Sequence, residues 1–495
     1  MADADLPPPD LTAGAPDVLS APEVGIRLVR GGAVRLVGYG VGMLFTAGSS
    51  VLLLRHLGVA DFGRYMTVAS LIAVVGGVTD AGLTAVGGRD LAQRATPESR
   101  ARLLGALMGL RLLVTPAGAL VAIAFALAAG YQRTLVFGAA LAGVGLVLTT
   151  VQATIALPLS VDLRIAALTT LEVIRPAAQL AGIALLVAVG AGLLPFFVLF
   201  VVVAVVALAA TPVVIGSTTV WRPRFDREAW RVLAREALPV AATIVMGVFY
   251  FRLLILLMSL TASAVATGLF ATSFRIIEIL YGISWLIATT AFPVLAATAN
   301  DRFRFRYILQ RLVEVGAIAA LYLVVVIAIL AVPILDVLGG SAYRGAAPVL
   351  RIQAFALIPV FAATACQLAL VAIRRQRALA LASGCALMIV LASGLILIPP
   401  YGAKGAAVAA VASEAVFAIV NAVLLARADP SLLPSVVFFW KPALAAAFAG
   451  AVGLGADLWA PVAAVVATLT FAATLVITRG VPPELSAALA PHRRS

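Results

Sequence analysis

Apolar runs of 20 or more residues recur along most of the chain, separated by short links that carry Arg, Pro and Gly. A run of that length crosses a bilayer core of about 30 Å as a helix, whereas a membrane β-barrel reads as short alternating strands of about ten residues. The pattern therefore predicts fourteen membrane helices, over 31–54, 64–86, 103–129, 134–157, 166–190, 193–216, 237–260, 264–297, 312–338, 346–373, 378–399, 404–426, 439–457 and 459–478. An even number of crossings puts both termini on one side. Basic residues in short loops stay cytoplasmic. With the N-terminus inside, the inner loops hold clusters such as Arg222, Arg224, Arg227, Arg231 and Arg235, or Arg302, Arg304, Arg306 and Arg311. The outer loops carry Arg55, Arg64, Arg133, Arg344 and Lys404 alone. The expected class is an all-α polytopic membrane protein with both termini cytoplasmic.

The links also divide the chain. Residues 1–30 are rich in Asp, Glu and Pro, too polar and broken for a core, and read as a disordered cytoplasmic tail without the basic-then-apolar order of a secretory signal. The longest inner loop, STTVWRPRFDREAWRVLAR, interleaves Trp221, Phe225, Trp230 and Leu233 with arginines and predicts an amphipathic helix lying at the cytoplasmic interface over 217–236. It separates an N-terminal six-helix lobe, 31–216, from a C-terminal one, 237–427, with helices 13 and 14 and a tail left as an accessory part over 428–495. Gly63-Arg64-Tyr65 at the start of the second span has a counterpart in Gly268-Leu269-Phe270 at the start of the eighth. Six spans lie between these copies, so they share an orientation. Such repeats relate by an axis along the membrane normal, with the substrate path in a central cavity between the lobes.

Composition narrows the class further. With 63% hydrophobic residues, 12% charged and a mean hydropathy of +1.12, a water-soluble domain is excluded. The net charge of +13 is spread over the links, not gathered in one patch, so no nucleic-acid partner is expected. There is no GxxxxGK[ST] loop, GxSxG elbow or HExxH, and the histidines are His56 and His492, so the expectation is no enzyme, no cofactor and no metal. Uphill work must then come from an ion gradient, the membrane potential or removal of product. Cys366 and Cys385 sit in apolar segments without metal-ligand spacing and read as packing, as do the GxxxG pairs Gly38/Gly42 and Gly105/Gly109.

What remains is charge inside the predicted spans: Arg35, Arg111, Arg175, Arg252, Arg275 and Arg351, against Asp80, Glu172, Glu278 and Glu414. At about 2.5–3.5 kcal/mol per arginine at a helix centre, six cannot all face lipid. Glu172 with Arg175 and Glu278 with Arg275 are i,i+3 neighbours that can pair on their own helices, while Arg35 and Arg351 lie near span ends and can snorkel. The surviving excess is cationic, and guanidinium groups match phosphate oxygens in paired hydrogen bonds. Arg111, Arg175, Arg252 and Arg275 are accordingly the candidate substrate-binding residues. Asp80, Glu278 and Glu414 are the candidate lumen or ion-coupling acids.

Several stretches carry a resemblance. LGVADFGRY at 57–65 followed by Asp80 and a charged exit, Leu238-Pro239, Phe249-Tyr250-Phe251-Arg252, AVATGLFATSFR at 264–275, Phe292-Pro293, LGGSAYRGAAPVL at 338–350 and IPPYGAKGAAVAA at 398–410 together resemble the polysaccharide-export (Wzx-type) branch of the MATE/oligosaccharide-flippase (MOP) superfamily, over roughly 31–430. The acid that often follows the seventh-span arginine by two positions is Leu254 here. The resemblance implies a bacterial inner-membrane flippase that carries a polyprenyl-pyrophosphate-linked oligosaccharide from the inner to the outer leaflet by alternating access. Its partners would be that lipid-linked oligosaccharide, membrane lipids, and a glycan polymerase and other assembly proteins. A lipid II flippase is a variant of this reading. A cation-coupled multidrug exporter of the MATE branch would want acids and aromatics in its pocket, and a non-transporting scaffold would have no use for buried charge.

Overall fold

The computed structural model describes residues 22–94, 96–216, 222–375, 377–455 and 458–481, which hold helices and no strand. In order these are α1 (Pro22–Asp80), α2 (Leu83–Ala92), α3 (Pro97–Ala128), α4 (Arg133–Val161), α5 (Ile165–Ala188), α6 (Leu193–Ile215), α7 (Arg227–Thr261), α8 (Ala264–Ala297), α9 (Arg302–Gly339), α10 (Ala347–Ala354), α11 (Leu357–Ala372), α12 (Arg377–Ala428), α13 (Trp440–Gly455) and α14 (Ala460–Ile477). Twelve segments of the described residues are long and apolar enough to cross a membrane, and two of them, Val37–Ala92 and Ala378–Ala428, run to 56 and 51 residues. A straight helix of 56 residues would reach about 84 Å, far beyond one bilayer core of about 30 Å.

Single glycines resolve that excess, where the hydropathy pattern reads loops. α1 turns at Gly58 (φ 69°, ψ 175°) and α12 at Gly402 (φ 53°, ψ −129°), left-handed values that glycine alone adopts without strain. The neighbours show that α1 doubles back. Gly38 on its first arm packs on Thr169 near the start of α5, and Gly82, just beyond the second arm, packs on Val240 near the start of α7, at the same end of the bundle. That end collects the arginine-rich links; the kinks lie at the arginine-poor end. The tenth predicted span is also broken, into a 3-10 turn over Ser341–Ala346 followed by α10 and α11. Three helices at the arginine-rich end start on side-chain caps: Thr96 accepts from the Ser99 N–H, Asp226 from Glu228 and Ala229, and Asp301 from Arg304.

The predicted amphipathic linker takes a different form. Of its residues, 217–221 lie outside the described part; 222–226 run without secondary structure along α3, and from Arg227 the chain is already α7. The Arg224 N–H donates to the Gly105 carbonyl at 2.9 Å and the Trp230 indole N–H to the Ala106 carbonyl at 2.9 Å. A Cβ on Gly105 or Gly109 would run into the backbone oxygens of Arg222 and Arg224. The Gly105/Gly109 pair is thus close packing, but it seats the linker backbone instead of another membrane helix. Trp230 and Leu233 bury against Leu103 and Leu107 of α3, so this part of the apolar face meets protein and not the bilayer surface, while Phe225 stays exposed. At the other end of the N-terminal part, α1 is already helical from Pro22, inside the stretch expected to be a tail.

α1 to α6 pack together, α7 to α12 pack together, and α13 and α14 form a pair that rests on α9 through Ile329, Ala449, Ala467 and Phe471. The two groups meet where α1 contacts α7 and α8. At the arginine-poor end the glycines of the duplicated sequence face each other: a Cβ on Gly63 would strike the Ala264 carbonyl and the Gly268 backbone, and one on Gly268 would strike the Val59 carbonyl. The same end is tied by Tyr343 Oη to the Leu54 carbonyl at 3.0 Å, Arg55 to the Val337 carbonyl at 2.8 Å, and Tyr131 to Ser259 at 2.6 Å. At the arginine-rich end Arg89 of α2 pairs with Glu236 of α7.

Candidate functional site

α7 and α8 bring three of the predicted charges together. Arg252, near the middle of α7, donates from Nη2 to Glu278 Oε1 at 2.9 Å, and Arg275, one turn before Glu278 on α8, donates from Nη1 to Oε2 at 2.9 Å. One carboxylate therefore holds two guanidinium groups, leaving the triad with a formal charge of +1. The expected i,i+3 pair of Arg275 with Glu278 is present, with Arg252 added from the neighbouring helix. All three side chains are partly exposed, between 22% and 28%, and the two arginines line cavities that their remaining N–H groups can face. Arg275 also reaches Ser50 on the first arm of α1 at 3.4 Å, so the triad stands at the seam between the two halves.

Two cavities share Glu278 as a wall. The smaller, about 550 Å³, is lined by Arg35, Glu172, Arg275 and Glu278 together with the small-residue face of α1 around Gly42 and Thr46. The larger, about 810 Å³, lies among α7, α8, α11 and α12 with Gly77 of α1 on its edge, and Arg252, Glu278, Tyr281, Trp285 and Glu414 are among its walls. Arg35, expected to snorkel at a span end, instead faces the smaller cavity. Its partner there is Glu172 at 4.0 Å, so Glu172 pairs across helices and not with Arg175. Arg175, one turn after Glu172 on α5, is exposed and forms no ion pair among the described residues. Arg351 donates to the Ala328 carbonyl of α9 at 2.9 Å and binds α10 to that helix.

Arg111 belongs to a separate site. It is 2% exposed in α3 and donates to Asp80, to Thr84 and, at 2.8 Å, to Thr154 of α4. Asp80 caps this cluster at the end of α1 with its carboxylate about one-third exposed, and neither residue lines the two cavities. The structure thus removes Arg111 from the arginines around the seam: its charge is taken up inside the N-terminal half. The lumen is in consequence not uniformly cationic. Arg35, Arg252 and Arg275 face Glu172 and Glu278 at the seam, giving +1, while Glu414 stands apart at the other end of the larger cavity.

Around Glu414 gather aromatic rings that the charge inventory passes over. Tyr250 and Tyr281 stand beside its carboxyl, the Tyr250 hydroxyl lying 3.4 Å from Ser413 Oγ, and Tyr250 packs edge-on against Phe251 and tilted against Phe417. Phe251 in turn meets Tyr281 edge-on at 6.2 Å. The signal available in sequence is the spacing Glu278, Tyr281 and Trp285 on α8, which places a charge and two rings on one helical face.

A family model described as "Polysaccharide biosynthesis protein" matches residues 52–348. No curated protein sequence matches the chain. Among solved structures, "Lipid II flippase MurJ, inward closed conformation" superposes with a TM-score of 0.77 at 13% identity, covering 90% of this chain and 99% of that one. An inward-facing multidrug resistance MATE family transporter of the MOP superfamily superposes at 0.65 with 12% identity, covering 80% and 98%. An outward-facing MATE transporter of the same superfamily gives 0.53 at 15% identity, covering 82% and 96%. These likenesses establish the fold.

Proposed function

The chain belongs to the polysaccharide biosynthesis protein family, and we propose that within it this protein carries a polyprenyl-pyrophosphate-linked oligosaccharide from the inner to the outer leaflet of a bacterial inner membrane, for assembly of a cell-surface polysaccharide. The observation that carries this reading is the triad at the seam: Arg252 and Arg275 sharing Glu278 beside two open cavities. A diphosphate offers more acceptor oxygens than one carboxylate, so it competes with Glu278 for the paired N–H donors of the two arginines. Arg35 on α1 lines the smaller cavity with Arg275 and can join from the other half, whereas Arg175 lines neither cavity. Asp80 is assigned to the Arg111 cluster and not to transport.

The stroke is alternating access. With the arginine-poor end sealed by the Gly63 and Gly268 crossing, cargo reaches the cavities from the arginine-rich end, taken as cytoplasmic. The pyrophosphate binds at the seam, and rocking of the halves about that seam moves it to the other leaflet while the polyprenyl chain stays in lipid. Because the triad spans α7, α8 and, through Ser50, α1, anion binding there biases the relation between the halves, which a ligand held by one half alone cannot do.

The deciding experiment is mass spectrometry of lipid that co-purifies with the protein, paired with flipping of a fluorescent polyprenyl-pyrophosphate glycan in proteoliposomes. A pyrophosphate-linked glycan that is also flipped supports the proposal. Lipid II as the bound species would move the reading to the lipid II variant, and no pyrophosphate lipid with no flipping would end it.

A further inference from the structure

The Glu414 end of the larger cavity has no role in holding a diphosphate, and its chemistry is of another kind. Glu414 is 6% exposed and forms no ion pair among the described residues. A carboxylate offers about four acceptor positions, and the neighbouring hydroxyls of Tyr250, which also lies 3.4 Å from Ser413 Oγ, and of Tyr281 can fill two. Leaving the others empty in a buried site is costly. The cavity beside it presents ring surface: Phe251 is 41% and Trp285 62% exposed. The other polar groups on the wall, Thr243, Thr364, Gln367 and Ser383, are neutral and can both donate and accept. At about 810 Å³ the space lies within the range of about 300–1,000 Å³ typical of small-molecule sites, and is therefore sized for a fragment of a larger cargo.

A pyranose ring answers all of these features at once. Its C–H face packs on aromatic surface, and its hydroxyl edge supplies donors for a carboxylate that lacks them. Arg252 and Glu278 line the same cavity, so the ring that fits beside Glu414 is one attached close to a phosphate held at the seam. We infer that the Glu414 end of this cavity is a specificity site for a neutral sugar of the cargo next to the pyrophosphate, stacked on Phe251 and Trp285 and hydrogen-bonded to Glu414. The site excludes uronic acids, because a second carboxylate there would face Glu414 in a water-poor pocket. The inference rests on the flippase reading above and deepens it by naming the class of the first sugar.

The test uses the full chain in nanodiscs and three short-chain probes: an isoprenyl pyrophosphate without sugar, the same lipid bearing N-acetylglucosamine, and the same lipid bearing glucuronic acid. Calorimetric titration should find the N-acetylglucosamine probe bound at least about tenfold more tightly than the bare probe, and the glucuronic acid probe no more tightly than the bare one. In Glu414→Gln the ratio between neutral-sugar and bare probes should fall below about threefold, while the glucuronic acid probe gains about fivefold. Phe251→Ala should shrink the neutral-sugar ratio without admitting the uronate, which serves if the Glu414 variant does not fold. Equal affinity for both sugar probes in the natural protein, or an unchanged ratio in both variants, overturns the sugar site and leaves the flippase reading standing. A loss in Glu414→Gln that is the same for all three probes and follows the sodium or proton concentration also overturns it, since the acid would then be a cation site. If the bare probe fails to bind the natural protein, the flippase reading itself fails.

Discussion

Arg111 carries its charge in a place with almost no water, and its guanidinium is divided among Asp80, Thr84 and Thr154. Breaking a buried ion pair by removing one partner costs about 3–5 kcal/mol, and because Asp80 is about one-third exposed the lower end applies. Asp80→Ala should therefore lower the thermal unfolding temperature in detergent clearly more than Asp80→Asn does. The double variant Asp80→Ala/Arg111→Met should recover most of the loss. An unchanged melting temperature in Asp80→Ala would mean the pair holds nothing together. The seam arginines behave differently, because their task is paired donation. Arg252→Lys and Arg275→Lys should each lower flipping in proteoliposomes by about tenfold or more while the melting temperature holds, since an ammonium cannot present two parallel N–H groups. Normal flipping by both variants would take these residues out of the site. The sequence singles out every one of these charges by its place in an apolar run, yet it pairs some of them wrongly. Spacing along one helix finds Arg275 for Glu278 but offers Arg175 for Glu172; the actual neighbour, Arg35, arrives on α1, whose Gly38 and Gly42 let it lie close to α5. Asp80 and Arg111 likewise meet across 31 positions, a distance at which local spacing says nothing.

At the scale of elements, the crossing of the second arm of α1 with α8 is the tightest feature at the arginine-poor end, since each glycine there abuts backbone and not a side chain that can turn aside. A Leu at position 268 must push the two halves apart. In a variant lacking both native cysteines, Ser259→Cys should react with a membrane-impermeant thiol reagent about fivefold faster when Gly268→Leu is added, because the Tyr131 to Ser259 contact opens with the crossing. An unchanged rate would show that the crossing does not hold that end closed. The duplicated tripeptides reveal that these two places correspond, but not that they touch. The turns at Gly58 and Gly402 are equally hidden, because a hydropathy pattern marks where an apolar run pauses and not whether one residue or ten make the bend. The linker is the converse case: Trp230 and Leu233 bury against protein where a face lying at the cytoplasmic interface is expected, because the groove that receives them is built by Gly105 and Gly109, more than a hundred residues earlier, while Phe225 stays exposed.

For the molecule as a whole, the arginine bias and the contacts agree on which links share an end, and the fourteen-crossing reading follows if each arm of α1 and α12 crosses once. Single cysteines in intact cells test it: residues 130–132 and 341–344 should label from outside, and 302–306 should not. Labelling of the last group would break that topology. The division into halves also has a consequence for how the chain can be made. Arg224 and Trp230 bond to the backbone of α3, and Leu233 buries beside them, so the start of α7 is held to the first half by non-covalent contacts as well as by the peptide bonds of 217–221. The peptide link should therefore be dispensable. Two separately translated fragments, 1–218 and 219–495, should find each other in the membrane and co-purify, and Gly105→Leu, harmless to translation of either piece, should abolish that reunion by filling the groove in which the second fragment docks.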